Sequence, residues 1–202
     1  LTIALCGRNE NQYLSGNYPV MQGLHNLIHL SIYHCSLIKI PNQFLKDSHL
    51  LKNLSIVGSR VQELEINCFR GLQSLAELDL SYNYIEHLPN TVFIDLRYLK
   101  KLDLSDNFLY TIHERKFIGL SHLRFLDISY NYLQSLKSRT FSQLSSLKEL
   151  NIIDAFKERF RSKNEIQTIQ SEAFLGLFSL KSLRLPYNTP PNLTLDSMHR
   201  LD

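Results

Sequence analysis

The chain has 202 residues, of which 44% are hydrophobic and 20% are charged, a composition typical of a folded protein. Its 22 basic and 19 acidic residues leave a net charge of +3, which excludes a strong overall field of the kind that selects an anionic partner. No apolar run is long enough to cross a bilayer, and the three cysteines fit neither a disulfide framework nor a zinc site.

The segment 1–26 predicts an irregular repeat, in which Ile3 and Leu5 belong to a strand and Met21 and Leu24 to the opposite, convex side. From there a leucine recurs with a constant period, at Leu27, Leu51, Leu75, Leu99, Leu123 and Leu147. Each opens the pattern L-x-x-L-x-L, whose alternating leucines predict a short strand with one face buried. A period of this length predicts a solenoid, and residues 27–146 are expected to form five regular repeats.

The spacing changes after Leu147, because the next opening residue, Leu180, comes nine positions later than the regular period requires. Alignment with the regular repeats assigns the surplus to the residues after Ile152. We therefore predict that residues 147–179 form a repeat with a nine-residue insertion and that residues 180–202 form an incomplete last repeat.

Two further positions recur within each repeat. Eight positions after the opening leucine an asparagine is expected to satisfy buried backbone groups, because its amide both donates and accepts. This asparagine column comprises Asn83, Asn107, Asn131, Asn188 and, once the nine-residue insertion is allowed for, Asn164. Cys35 and Ser59 replace it in the early repeats, and we expect Cys35 to be a buried reduced thiol. Eighteen positions after the opening leucine a bulky apolar side chain is expected to fill the core, namely Leu45, Phe69, Phe93, Phe117 and Phe141.

The unit LxxLxLxxNxLxxLxxxxFxxLxx, seen in LDLSYNYIEHLPNTVF and LDLSDNFLYTIHERKF, resembles the typical leucine-rich repeat of extracellular animal proteins. The irregular repeats and the insertion after a strand are similar to those of Toll-like receptor ectodomains. The resemblance implies an α/β leucine-rich-repeat solenoid, a horseshoe with a parallel β-sheet on its concave face. It also implies ligand binding and receptor dimerisation on the surfaces of this segment, in the extracellular space or the endosomal lumen.

Candidate ligand-binding residues lie on the predicted concave face. Asp79, Asp103 and Asp127 stand on adjacent strands, where they could bind a basic partner or a cation, or simply be solvated parts of the LDLS motif. Tyr82 and Tyr130 lie just past their strands, as interface tyrosines or as ordinary half-buried packing. A basic column before the strands, interpreted as a solvated rim, comprises Lys52, Lys100, Arg124, Lys148 and Lys181.

The insertion is the strongest functional candidate, because loops on a rigid scaffold often carry function. Its aromatic and basic side chains predict contacts with an anionic or a protein ligand, with a disordered excursion as the alternative. These residues are Phe156, Lys157, Arg159, Phe160, Arg161 and Lys163. Two sequons predict glycosylation at Asn53 and Asn192.

The sequence contains no catalytic motif, cofactor-binding loop or metal-ligand spacing, so we expect a protein that is not an enzyme and holds no cofactor or metal. We predict a segment of a Toll-like innate immune receptor that binds a protein or microbial ligand, including an anionic one, and acts as a homo- or heterodimer. Any membrane anchor would lie outside the segment. The alternative is a cell-adhesion or neuronal guidance protein of the same repeat class that binds a protein partner.

Overall fold

The computed structural model describes residues 2–5, 21–153 and 166–186. The chain begins with one strand, and seven further short strands follow the L-x-x-L-x-L pattern. Four two-residue strands lie on the opposite, convex side of the solenoid. The strands are β1 Thr2–Leu5, β2 His29–Tyr33, β3 Lys39–Ile40, β4 Asn53–Val57, β5 Glu63–Leu64, β6 Glu77–Asp79, β7 Lys101–Asp103, β8 Phe125–Asp127, β9 Ser135–Leu136, β10 Glu149–Asn151, β11 Thr168–Ile169 and β12 Ser182–Arg184.

Eight of these strands form one parallel sheet in the order β1-β2-β4-β6-β7-β8-β10-β12. Between β2 and β10 each strand residue pairs with its equivalent in the next repeat at a constant offset, as Leu78 does with Leu102. The offset is nine positions longer between β10 and β12, where Leu150 pairs with Leu183. The predicted leucine-rich-repeat solenoid with 24-residue repeats is therefore confirmed.

The convex side of the described residues consists mainly of turns. It contains two small parallel sheets, β3 with β5 and β9 with β11, and one 3-10 helix, Glu114–Lys116. Too few residues separate the buried positions on this side to complete a stable α-helix, which needs about 12–15 residues by itself. Within the described residues, the helical component of the predicted α/β class is limited to that single turn. No helix in the described part of the chain is long and apolar enough to span a membrane.

The core lies between the sheet and the convex turns. The inward-facing strand residues, such as Leu102 and Leu104, are fully buried. Phenylalanine rings stack from repeat to repeat behind them, with centroids 5.9 Å apart for Phe69 and Phe93 and 6.0 Å for Phe117 and Phe141. Each repeat thus closes the core of its neighbour, as expected of a solenoid.

Buried asparagines join successive repeats at the ends of the strands. The Asn107 Oδ1 accepts the backbone N–H of Ile85, at 3.0 Å, and its Nδ2 donates to the carbonyl oxygen of Leu80 in the preceding repeat, at 2.9 Å. Asn83 and Asn131 make the same kinds of bond. Asn164 and Asn188 lie outside the described residues.

The interpretation of Cys35 as a reduced thiol is wrong, because Cys35 is disulfide-bonded to a partner outside the described residues. The Ser59 hydroxyl accepts the backbone N–H of Cys35, at 3.2 Å, so the sulfur is not needed to satisfy the turn. Cys68 is a free, buried thiol whose pKa is raised by burial. Burial therefore keeps it in the unreactive thiol form.

Candidate ligand-binding face of the sheet

The strands present an open face with two edges. We call the edge where the strands begin the amino edge and the edge where they end the carboxyl edge. Side chains that alternate with the buried leucines point outward from the face, and they recur at the same level in every repeat because the strands are parallel and in register. Each outward position therefore forms a column across the sheet.

The structure brings three of the predicted carboxylates together in one such column. Asp103 is register-paired with Asp79 on one side and with Asp127 on the other. In all three, Oδ1 accepts the backbone N–H of the serine two positions further on, at distances of 2.9–3.0 Å. The carboxylates therefore secure the backbone where their strands end, a structural role that their place in the LDLS motif does not reveal.

The surroundings of the central carboxylate of the column raise its pKa. Burial raises the pKa of Asp103, and the charges of Asp127 and Asp79 raise it further, while the hydrogen bonds from Ser105 oppose the shift. On the far side of the column Asn151 donates its Nδ2 to Asp127 Oδ2, at 2.8 Å. An amide at this level of the sheet thus fits beside a carboxylate.

The variant Asp103→Asn is expected to be more stable than the wild type at neutral pH. The new Oδ1 can still accept the two bonds from Ser105, and the new Nδ2 can donate to a neighbouring carboxylate as Asn151 does. Removal of like charges from facing strand positions predicts a gain of about 0.5–1 kcal/mol in the free energy of unfolding, measured by urea denaturation at pH 7.

The pH dependence of that gain follows from the direction of the pKa shift. Because the folded state raises the pKa of Asp103, its ionisation costs stability, and this cost grows as the pH rises through the raised pKa. The gain should therefore vanish near pH 3, below the ordinary aspartate pKa of about 3.9. Asp103→Ala, which loses the bonds from Ser105, should destabilise the protein at both pH values. A variant Asp103→Asn no more stable than the wild type at pH 7 would contradict the argument.

The predicted interface tyrosines lie at the carboxyl edge. Tyr82 and Tyr130 are in equivalent positions two repeats apart, and Asp106 occupies the same position in the repeat between them. All three have left-handed backbones, with φ of 52–56°, in a position where an earlier repeat has Gly58. The Asp106 carboxylate raises the pKa of Tyr82, first through its charge and also through a hydrogen bond. Non-glycine residues in this conformation store strain, which is often found at binding sites.

A continuous set of aromatic rings lies next to these tyrosines, on the turn that follows the asparagine column. Phe108 contacts Tyr84 edge-on, with centroids 5.5 Å apart, and stacks on Tyr132 at 5.4 Å. Tyr110 extends the set through contacts with Tyr132 and His87, at 5.6 and 6.5 Å. We call these five residues the aromatic ladder. Tyr84, Phe108 and Tyr132 directly follow asparagines of the column in the sequence, whereas Tyr110 and His87 come later in their repeats and no recurring position marks them.

The aromatic ladder is accessible to a partner. Tyr84 is 44% exposed and Tyr110 is 43% exposed, while Phe108 and Tyr132 are half-buried. Aromatic side chains with this degree of exposure can bury a large area on binding at a small cost in conformational entropy. The arrangement of the rings therefore suits a flat contact with a macromolecule.

The remaining predicted residues are placed as follows. Asn53 is half-buried within β4, where both neighbouring strands are paired with it. The insertion residues Phe156, Lys157, Arg159, Phe160, Arg161 and Lys163 lie outside the described residues, as does Asn192. Within the described ranges, no group of three or more His, Cys, Asp and Glu side chains is placed to hold a metal ion.

Comparison with protein families and solved structures agrees with this geometry. A family model described as leucine rich repeat matches residues 49–109 and 97–153. No curated protein matches the chain. The crystal structure of a TLR13–ssRNA13 complex superimposes with a TM-score of 0.71 and 24% sequence identity, over 85% of this chain and 23% of that one.

Two other solved structures have the same fold. The Toll protein in the Toll–Spatzle complex from Drosophila gives a TM-score of 0.68 with 21% identity, over 81% of this chain and 20% of that one. The leucine-rich repeat domain of APL1 gives 0.59 with 23% identity, over 63% of this chain and 34% of that one. The chain thus spans less than a quarter of the length of the two Toll-type structures, and the likeness concerns the fold.

Proposed function

The chain belongs to the leucine-rich repeat family, and we propose that it is a non-catalytic ligand-recognition segment of a Toll-like innate immune receptor. The observation that carries the proposal is the aromatic ladder, exposed on one edge of a rigid sheet in the regular repeats. Rigid scaffolds that present exposed aromatic side chains are suited to recognise macromolecules, because little entropy is lost on binding.

The chemistry of the carboxyl edge favours a protein ligand there. At this edge Tyr82 is hydrogen-bonded to the Asp106 carboxylate, and the aromatic ladder lies on the following turn, so a partner surface with apolar and basic side chains would be complementary. The TLR13 structure holds single-stranded RNA and the Toll structure holds Spatzle, so similar solenoids bind ligands of different chemistry. Ligand binding at this edge, followed by dimerisation of the receptor, is our proposal for the present chain.

The cysteines support a location outside the cytosol. The disulfide at Cys35 is of a kind that persists in oxidising compartments and is rare in the cytosol. The sequons at Asn53 and Asn192 agree with passage through the secretory pathway. We therefore propose the cell surface or the endosomal lumen as the site of action.

The complete reading frame of the transcript tests this proposal. We expect a transmembrane helix followed by a cytoplasmic Toll-type signalling domain, together with further repeats. Immunoglobulin or fibronectin domains beside the repeats would overturn the receptor assignment and favour the cell-adhesion or guidance protein. The glycosylation at Asn53 and Asn192 can be checked on the chain expressed as a secreted protein, by enzymatic removal of glycans and mass spectrometry.

The insertion is proposed to make a separate contact, with an anionic ligand. Replacement of its four cations, Lys157, Arg159, Arg161 and Lys163, by alanine is expected to weaken binding and to flatten its salt dependence, because fewer counterions are released. The measurement is a titration with the ligand at several salt concentrations. Unchanged affinity in the fourfold variant would remove the insertion from the binding site.

A further inference from the structure

A row of cations runs along the amino edge of the sheet, opposite the aromatic ladder. Arg124 donates its backbone N–H to the carbonyl oxygen of Lys100, Lys148 donates to Arg124, and Lys181 donates to Lys148, each at 2.8 Å. The four residues are thus immediate neighbours in successive repeats, each one position before its strand. With strands about 4.8 Å apart, the row is about 15 Å long.

Among the described residues, no cation of this row forms an ion pair with a carboxylate. The side-chain ion pairs of the described residues are Lys39 with Glu63 and Glu65, His113 with Glu114, and Arg139 with Glu172. None of them involves the row, and all four of its side chains are exposed. The row therefore produces a local positive potential that the small net charge of the chain conceals.

A cleft of about 240 Å³ opens along the row, and we call it the amino-edge groove. Lys100, Arg124 and Lys148 line it together with Tyr98, His122, Ser146 and Ser179, and no carboxylate lies among these residues. The second wall is a column parallel to the cations, and its residues precede the opening leucine of each repeat by one position. A linear ligand can therefore lie between two parallel columns.

The second wall indicates which class of linear anion fits. Tyr98 is 62% exposed, and its ring contacts that of His122 with centroids 5.7 Å apart and planes tilted by 42°, so no base can stack between them. The rings stop after two repeats, and the next two contribute Ser146 and Ser179. A groove for single-stranded nucleic acid offers stacking along its length. Here the cations continue for four repeats and the rings do not.

We propose that the amino-edge groove binds a sulfated polysaccharide chain. The sulfate groups would pair with the Lys100, Arg124 and Lys148 side chains, with Lys181 extending the contact. The sugar hydroxyls would face Ser146 and the ring edges of Tyr98 and His122. The groove lies on the edge of the sheet opposite the aromatic ladder, so this proposal and the proposed receptor function can fail separately.

The test measures binding of a labelled heparin octasaccharide to the full 202-residue chain by fluorescence anisotropy at physiological ionic strength. A hyaluronan octasaccharide, which has carboxylates but no sulfate, and a single-stranded RNA of equal length are the comparison probes. We expect binding of heparin, with hyaluronan and RNA at least about tenfold weaker.

The groove variant is Lys100→Ser with Arg124→Ser and Lys148→Ser. The matched control is Arg70→Ser with Arg115→Ser and Lys137→Ser, which removes the same charge from exposed positions elsewhere. The groove variant should lose at least about tenfold in heparin affinity, and its slope of log affinity against log salt should fall by about two to three. The control should lose about twofold or less. The single variants Lys100→Ser and Lys148→Ser, each expected to lose about two- to threefold, keep the test valid if the triple variant does not fold.

Three results would overturn the proposal. One is the absence of heparin binding by the wild type, and another is an equal loss in the groove and control variants, which would indicate unspecific attraction. The third is RNA that binds as tightly as heparin and displaces it, which would assign the groove to nucleic acid. Selective loss in the groove variant, with weak binding of hyaluronan and RNA, supports the polysaccharide site.

Discussion

The variant Asn83→Ala is expected to lower the free energy of unfolding by about 3–5 kcal/mol, because it leaves two buried backbone N–H groups without an acceptor. The Asn83 Oδ1 accepts the N–H of Ser59 at 3.0 Å and that of Val61 at 3.1 Å. Ser59 and Val61 are both fully buried, so water cannot replace the amide oxygen without opening the turn. Urea or thermal denaturation followed by circular dichroism measures the effect.

Asn107→Ala should cost less, about 2–3 kcal/mol, although the two asparagines hold equivalent positions. The Asn107 Oδ1 accepts only one backbone N–H, that of Ile85. Two of the carbonyl oxygens that accept from Asn107 Nδ2 keep another donor in the variant. The Leu80 oxygen still accepts from Asn83 Nδ2, and the Ser105 oxygen still accepts the N–H of Tyr82. A larger loss for Asn107→Ala than for Asn83→Ala would contradict this accounting of the hydrogen bonds.

The difference arises from the replacement of asparagine in the early repeats. Ser59 stands where later repeats have asparagine, and its hydroxyl reaches only the N–H of Cys35 and nearby carbonyl oxygens. The Asn83 Oδ1 therefore accepts two backbone N–H groups of the preceding repeat, whereas Asn107 and Asn131 each accept one. The replacement of asparagine by Cys35 and Ser59 is visible in the sequence, and in the structure its consequence is the second N–H group accepted by Asn83.

The variant Phe141→Ala is expected to cost about 3–5 kcal/mol, at the upper end of that range. Its ring is fully buried and stacks on both neighbours, with centroids 6.0 Å from Phe117 and 6.1 Å from Phe174. The alanine variant would leave a cavity between two repeats and break two aromatic contacts, each worth about 0.5–1.5 kcal/mol beyond the buried area. Equilibrium denaturation in urea measures the loss.

Phe141→Leu is the matched control, because Leu45 fills the same position in an early repeat and is fully buried there. It should lose less than half as much as Phe141→Ala. If the two variants were equally destabilised, ring stacking rather than filled volume would dominate the core. If neither were destabilised, the column would not hold the repeats together.

The sequence was sufficient to predict features that depend on period alone. The alternation of Leu102 and Leu104 predicts which face of a strand is buried, and the recurrence of Phe117 and Phe141 predicts which side chains fill the core. These properties depend on the direction of a side chain, which the position within the repeat determines. The parallel sheet and its register follow from them.

Features that depend on contacts between neighbouring side chains were not predictable in the same way. Asp103 and Ser105 belong to the common LDLS pattern, but their hydrogen bonds depend on the turn at the end of the strand. The contact of Tyr110 with Tyr132 depends on the path of the chain after the asparagine, and the disulfide at Cys35 depends on a distant segment. Periodicity gives the orientation of a residue but not its partner.

The register between β10 and β12 has a consequence for how such a chain can change over evolution and in the laboratory. Leu150 pairs with Leu183 in the same parallel register as Leu126 does with Leu150, although the connecting segment is nine positions longer. Loop closure depends only weakly on length, so the sheet tolerates additions at this point. The connection between these strands is therefore the place to graft a foreign peptide or exchange one loop for another while the surrounding repeats remain unchanged.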